Sequence, residues 1–104
     1  MSPQDYYQVL RQYVEVVRES GLAVKQAYFF GSRARGDEKR GSDMDVCVVS
    51  DDFTGDKVED NKRLYKLARG VSTLIEPHAF LTEEFEDKYN FLAQEIKRSG
   101  VRVV

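Results

Sequence analysis

A chain of 104 residues, 41% hydrophobic and 33% charged, fits a single compact domain, 1–104, rather than several domains or a disordered tail. Its net charge of −2, from 16 basic and 18 acidic residues, argues against a protein that binds nucleic acid through a strongly basic surface. The single Cys47 excludes an internal disulfide, and because we find no signal-peptide pattern and no apolar run of membrane-spanning length, we expect a soluble, cytoplasmic protein.

The first half of the chain predicts one helix and two strands. An amphipathic helix begins at Pro3 and ends at Gly21, and its apolar residues recur every three or four positions, so that they share one stripe. This stripe consists of Tyr6, Val9, Leu10, Tyr13, Val14 and Val17. The strand Val24 to Phe30 has a continuous apolar run that indicates cover on both faces. The charged segment Gly31 to Ser42 is a predicted loop, and Asp43 to Val49 is the second strand.

The second half predicts two helices and two more strands. A helix spans Lys57 to Arg69, and a third strand spans Thr73 to Phe80. Pro77 cannot donate a hydrogen bond to a neighbouring strand, so it indicates an edge strand or a bulge. A last helix is predicted from Thr82, and Val101 to Val104 is a short final strand. The apolar face of that last helix would carry Phe85, Tyr89, Leu92 and Ile96.

Asp43 and Asp45 open the second predicted strand and are candidate metal ligands. Residues two apart on a strand project from the same face, with Cα atoms roughly 6.6 Å apart. Carboxylates at this separation can converge on one or two divalent ions, and Mg2+ commonly binds one or two protein carboxylates together with substrate phosphates. Acidic residues that lead into a buried apolar run are costly without such a partner. The alternative is that both are solvated turn residues or a helix cap.

Gly31 and Ser32 end the first predicted strand and are candidates for a phosphate site. Glycine lets the backbone approach a ligand closely, a following helical turn would direct N–H groups at an anion, and serine adds a hydroxyl donor. Phosphate donors would then lie beside metal ligands on neighbouring strands, as phosphoryl or nucleotidyl transfer requires. In a two-metal mechanism one ion activates the attacking oxygen and the other neutralises the leaving pyrophosphate. The alternative is an ordinary turn at the end of a strand.

A third carboxylate on an adjacent strand usually completes such a site, and Glu76 is the candidate. Its alternative role is an exposed residue on an edge strand. His78 lies two residues further along the same face and is a second candidate, as a ligand or a base, although a histidine here is more often structural. Cys47, between valines, is predicted to be a small core residue rather than a nucleophile.

The spacing of the two motifs resembles a known family. Gly31-Ser32, ten intervening residues and Asp43-Met44-Asp45 lie within FFGSRARG and GSDMDVCVV. This pattern resembles the minimal nucleotidyltransferases of the DNA polymerase beta superfamily, most closely from Val24 to Val49 and more weakly through Phe80. The resemblance implies an α/β (α+β) fold with a nucleotidyltransferase-like mixed β-sheet flanked by helices. It also implies ATP and two Mg2+ ions, and transfer of AMP to a hydroxyl with release of pyrophosphate.

The same resemblance implies a role for particular residues. The triphosphate would contact Gly31, Ser32 and Arg33, and Asp43 and Asp45 would be catalytic metal ligands, with Glu76 as the candidate for the third. Glu76 departs from the family pattern, since the superfamily commonly has an aspartate within a regular strand, and here a glutamate precedes Pro77. For Arg33 the alternative is a solvated, mixed-charge loop.

The resemblance also implies a partner. Family members of this length are often antitoxins encoded beside a HEPN-domain toxin, a ribonuclease that they silence by adding AMP to a toxin tyrosine. The first hypothesis is therefore an enzyme that adenylylates a protein hydroxyl, and the second is a catalytically weak or inactive antitoxin that neutralises its partner by binding. Transfer to a small molecule or an RNA end is a third. We expect homo- or hetero-oligomers, because a partner would complete the substrate pocket of so small a domain. We expect neither strong nucleic-acid binding nor membrane association.

Overall fold

The computed structural model of the chain describes residues 3–31, 34 and 44–104, which contain four helices and four strands. The helices are α1 (Pro3–Glu19), α2 (Lys57–Arg69), α3 (Thr82–Glu86) and α4 (Phe91–Ser99). The strands are β1 (Gln26–Phe30), β2 (Met44–Val49), β3 (Ile75–Phe80) and β4 (Val101–Arg102). Among the described residues no helix has the length and apolar character needed to cross a membrane.

The strands form one mixed sheet in the order β3-β2-β1-β4. β1 runs antiparallel to both β2 and β4, whereas β2 and β3 are parallel. The connection between the parallel strands contains α2, as a crossover between parallel neighbours requires. The predicted fold class, a mixed sheet flanked by helices, is confirmed.

Both faces of the sheet are covered, as the apolar run of β1 predicted. The larger core lies between one face and the helices α1 and α2, and the stripe of α1 is buried there except for the half-buried Val9. The smaller core lies between the other face and the helices α3 and α4. Its buried residues are Cys47, Val49, Phe80, Phe85, Ala93 and Ile96. Burial of each large apolar side chain contributes about 1.5–3 kcal/mol to folding.

Pro77 lies in β3, which is an edge strand of the sheet, as predicted. Ala79, two residues further along β3, shows why the proline is tolerated. Its backbone N–H points away from β2 and donates to Asn61 Oδ1 at 2.8 Å, and its carbonyl accepts from Lys57 Nζ. Backbone N–H groups two residues apart on a strand point to the same side, so the N–H that Pro77 lacks would also point away from β2. No hydrogen bond to β2 is therefore lost. The α2 side chains also cover part of this edge, which protects it from pairing with another chain.

The prediction of one continuous last helix is wrong. The segment forms two helices, α3 and α4, because polar side chains between them bond to the local backbone: Asp87 Oδ1 accepts from Tyr89 N, and Asn90 Oδ1 accepts from Ala93 N. Asn90 is thereby the N-cap of α4. As a consequence Tyr89 is 83% exposed and Leu92 is 43% exposed, although both were predicted to share an apolar face with Phe85.

Cys47 is fully buried in β2, which confirms its predicted core position, and desolvation raises the pKa of its thiol to about 12. Between the ordinary pKa of the thiol and this raised pKa, the thiol is protonated in the folded protein but deprotonated in the unfolded chain. Stability that is present below pH 9 is lost as the pH rises, and we expect the free energy of unfolding to fall by about 1–2 kcal/mol between pH 8 and pH 10. The free energy of unfolding of wild type and of Cys47→Ala, obtained from urea unfolding at several pH values in this range, measures the effect. The same dependence on pH in both proteins would contradict it.

Candidate metal centre

Three side chains that can ligate a metal lie together on the sheet face that α3 and α4 cover. The parallel pairing sets Asp45 opposite Glu76 and Cys47 opposite His78. Because side chains alternate along a strand, Asp45, Glu76 and His78 project from the same face. One potential ligand atom from each lies within 4.8 Å of the other two. Two carboxylates and an imidazole in this arrangement fit a divalent cation.

Asp45 and His78 are in direct contact. His78 Nε2 lies 3.1 Å from Asp45 Oδ1. The two side chains are 27% and 31% exposed, respectively, so a ligand can approach them from solvent. The ring of Phe30 packs against His78 with centroids 5.1 Å apart and planes tilted by 58°. The imidazole therefore contacts both a carboxylate and an aromatic ring.

Gly31 packs against the same carboxylate from the end of β1. Its φ of +87° lies in the left-handed region, which glycine adopts without a steric penalty. A Cβ atom at this position would lie 2.6 Å from Asp45 Oδ2, much closer than van der Waals contact allows. The sequence predicted a close backbone approach to a phosphate at Gly31. In the structure the group that it approaches is the Asp45 carboxylate, and a phosphate role for Gly31 stays a prediction.

The structure brings together part of the predicted site. The described members that lie near one another are Gly31, Asp45, Glu76 and His78. The other predicted site residues lie outside the described residues: Ser32, Arg33 and Asp43. The proposed functions of all these residues stay predictions at this point.

A cavity of about 200 Å3 adjoins the cluster. Its lining consists of Lys57, Asn61, His78, Ala79, Phe80, Asn90 and Leu92. Lys57 Nζ lies 3.2 Å from Glu84 Oε2 and 4.3 Å from the centroid of the Phe80 ring, which places a cation beside the site. Lys57 was not among the site residues predicted from the sequence. The sequence feature that could have indicated it is its spacing of four residues from Asn61, because residues four apart lie on the same side of a helix. In the structure this side of α2 faces the edge of β3.

Comparisons with known proteins agree with this architecture. A family model described as a nucleotidyltransferase domain matches residues 10–103. A crystal structure of a protein from Sulfolobus solfataricus, assigned as a nucleotidyltransferase, is 26% identical with a TM-score of 0.60, over 77% of this chain and 70% of that chain. A chain of a toxin–antitoxin crystal structure with AMP-PNP is 20% identical with a TM-score of 0.67, over 90% of this chain and 72% of that chain. At this identity the second match shows the fold alone. The curated proteins contain no significant match.

Proposed function

From the premise that this chain belongs to the nucleotidyltransferase domain family, we propose that it is an ATP-dependent and metal-dependent enzyme that transfers AMP to a protein hydroxyl. The observation that supports this most is the convergence of Asp45, Glu76 and His78 on one sheet face, with ligand atoms within 4.8 Å of one another. Two carboxylates on adjacent strands are fixed relative to each other and can position a metal ion. Nucleotidyl transfer depends on such positioning of the reactants and on neutralisation of the phosphate charge.

The residues divide into two groups in this proposal. Asp45 and Glu76, with Asp43, would hold a divalent ion such as Mg2+, which when bound would neutralise phosphate charge and assist attack by the acceptor oxygen. Gly31 allows the Asp45 carboxylate to lie against the end of β1. The Gly31 and Ser32 backbone, the serine hydroxyl and the Arg33 guanidinium would bind the triphosphate.

We further propose that the acceptor is a tyrosine of a HEPN-type toxin, so that the chain acts as the antitoxin. The motif spacing supports this proposal through its resemblance to minimal nucleotidyltransferases, as does the fold shared with a chain of a toxin–antitoxin structure. The partly exposed side chains of Asp45 and His78 also leave the cluster accessible to a side chain of another protein.

The experiment is label transfer from ATP to the product of the neighbouring gene, with Mg2+ or Mn2+ present. ATP labelled at the α-phosphate is expected to label the partner protein, whereas ATP labelled at the γ-phosphate is not, since pyrophosphate leaves. Label from the γ-phosphate would indicate a kinase, and no label from either form would refute the proposed enzyme.

Neutralisation by binding alone is the second candidate function. The residue at the third ligand position favours it, because Glu76 precedes Pro77 where the superfamily commonly has an aspartate within a regular strand. Glu76→Gln separates the two candidates: if transfer silences the toxin, this variant is expected to lose transfer by about a hundredfold or more and to fail to protect cells, since one metal ligand is gone. The measurement is growth of cells that express the toxin together with wild type or Glu76→Gln. Full protection by the variant would support binding alone.

A further inference from the structure

We propose that His78 is itself a metal ligand, through Nε2, and that the site consequently prefers a transition-metal ion such as Mn2+ to Mg2+. This inference rests on the metal-binding part of the proposed function and deepens it, since the sequence left the role of His78 open between a ligand, a base and a structural residue. It rests on the geometry of Asp45, Glu76 and His78 on their two parallel strands.

The distance between Asp45 and His78 fits ligation of one ion. Two ligand atoms at right angles on an octahedral ion, with ligand bonds of about 2.1 Å, are about 3 Å apart. Asp45 Oδ1 and His78 Nε2 are 3.1 Å apart. An ion can therefore bind both atoms without a rearrangement of either strand. Glu76 adds a third ligand from the position opposite Asp45.

A purely structural role explains the pair less well. Both side chains are more than a quarter exposed, and an ion pair or hydrogen bond of this kind at the surface adds only about 0–1 kcal/mol to stability. The ring of Phe30 nevertheless packs against the imidazole, with centroids 5.1 Å apart. A metal ligand needs such support, because the groups around a ligand position it for the ion.

The donor set determines the preferred ion. Mg2+ prefers oxygen ligands and keeps several waters, whereas imidazole suits transition metals. Manganese accepts both carboxylate and imidazole ligands, so an imidazole should raise the affinity for Mn2+ while contributing little to the affinity for Mg2+. His78 thus makes the site selective among divalent ions rather than merely capable of binding them.

The composition of the chain allows a direct test, since it contains a single histidine. Pulsed electron paramagnetic resonance of the Mn2+-loaded protein detects a nitrogen nucleus bound to the metal. Inorganic tripolyphosphate would supply phosphate ligands in place of ATP, because adenine would add nitrogen signals of its own. Wild type is expected to show imidazole nitrogen coupling that changes when the histidine is labelled with 15N.

Two variants accompany this measurement. His78→Gln keeps a polar side chain and is expected to lose the nitrogen coupling and to lower the ratio of Mn2+ to Mg2+ affinity by about tenfold or more. The matched control is Asp51→Asn on the turn after β2, where an exposed carboxylate pairs with Lys25, and the ratio is expected to stay unchanged. Circular dichroism checks that both variants fold, and the isotope experiment needs no variant.

The outcomes distinguish this inference from the proposed function. Bound Mn2+ without coupling to histidine nitrogen would overturn the inference and leave the proposed function standing. Coupling without AMP transfer would support the inference and count against the proposed function. Absence of any Mn2+ binding to wild type would overturn both.

Discussion

Asp45→Asn is expected to lower the rate of AMP transfer by about a thousandfold or more and to leave the fold intact. Asp45 lies at the centre of the cluster, opposite Glu76 in the sheet and in contact with His78. Asparagine has the same shape but no charge, so it is a poor ligand for a divalent ion. Loss of metal-assisted charge stabilisation worth several kcal/mol corresponds to this factor, because each 1.36 kcal/mol changes the rate tenfold.

The measurement is the initial rate of transfer of the α-phosphate label, together with the urea unfolding curve of each protein. Asp51→Asn is the matched control, since it removes the same charge six residues further along the chain from an exposed ion pair with Lys25. Its transfer rate is expected to equal that of wild type. A rate for Asp45→Asn within tenfold of wild type would show that this carboxylate does not hold the catalytic metal.

Gly31→Ala is expected to reduce both stability and transfer. An alanine at φ +87° costs about 1–2 kcal/mol in backbone strain. Its Cβ would also lie 2.6 Å from Asp45 Oδ2, so the carboxylate has to move. A displacement near 1 Å in a catalytic group can lower a rate about a hundredfold, and we expect a loss of that size here.

Gly21→Ala is the control that separates strain from displacement. Gly21 has a φ of +104°, and a Cβ added there would meet nothing within 4 Å. Both variants should therefore lose similar stability from strain, whereas only Gly31→Ala should lose transfer. Unfolding curves and transfer rates of the two variants measure this. Equal transfer rates would contradict the role assigned to the contact between Gly31 and Asp45.

Local signals in the sequence predicted much of the fold. The bounds of α2 coincide with the prediction, because a cap precedes it at Asp56, whose side chain accepts from two backbone amides, and Gly70 follows it. The edge position of β3 followed from Pro77. The break between α3 and α4 was missed, although Asn90 is a residue type that favours an N-cap, because the apolar spacing of Phe85 and Ile96 fits one helix equally well.

The sequence indicated residue types for the candidate site but not its geometry. The pattern of the second strand indicated Asp45 as a metal ligand, and Glu76 was the natural third carboxylate. The contact between Asp45 and His78 joins residues 33 positions apart and depends on the parallel register of β2 and β3, which no local pattern specifies. The packing of Phe30 on His78 further depends on the strand order, which places β2 between β1 and β3.

The intact mass of the partner protein tests the proposed enzyme most directly. The partner would be incubated with ATP, a divalent metal and either wild type or Asp45→Asn, and then weighed by mass spectrometry. The proposed function predicts that wild type adds one or more whole AMP units and that Asp45→Asn adds none. An unchanged mass with wild type, under conditions in which the partner is nevertheless neutralised, would contradict nucleotidyl transfer to this protein.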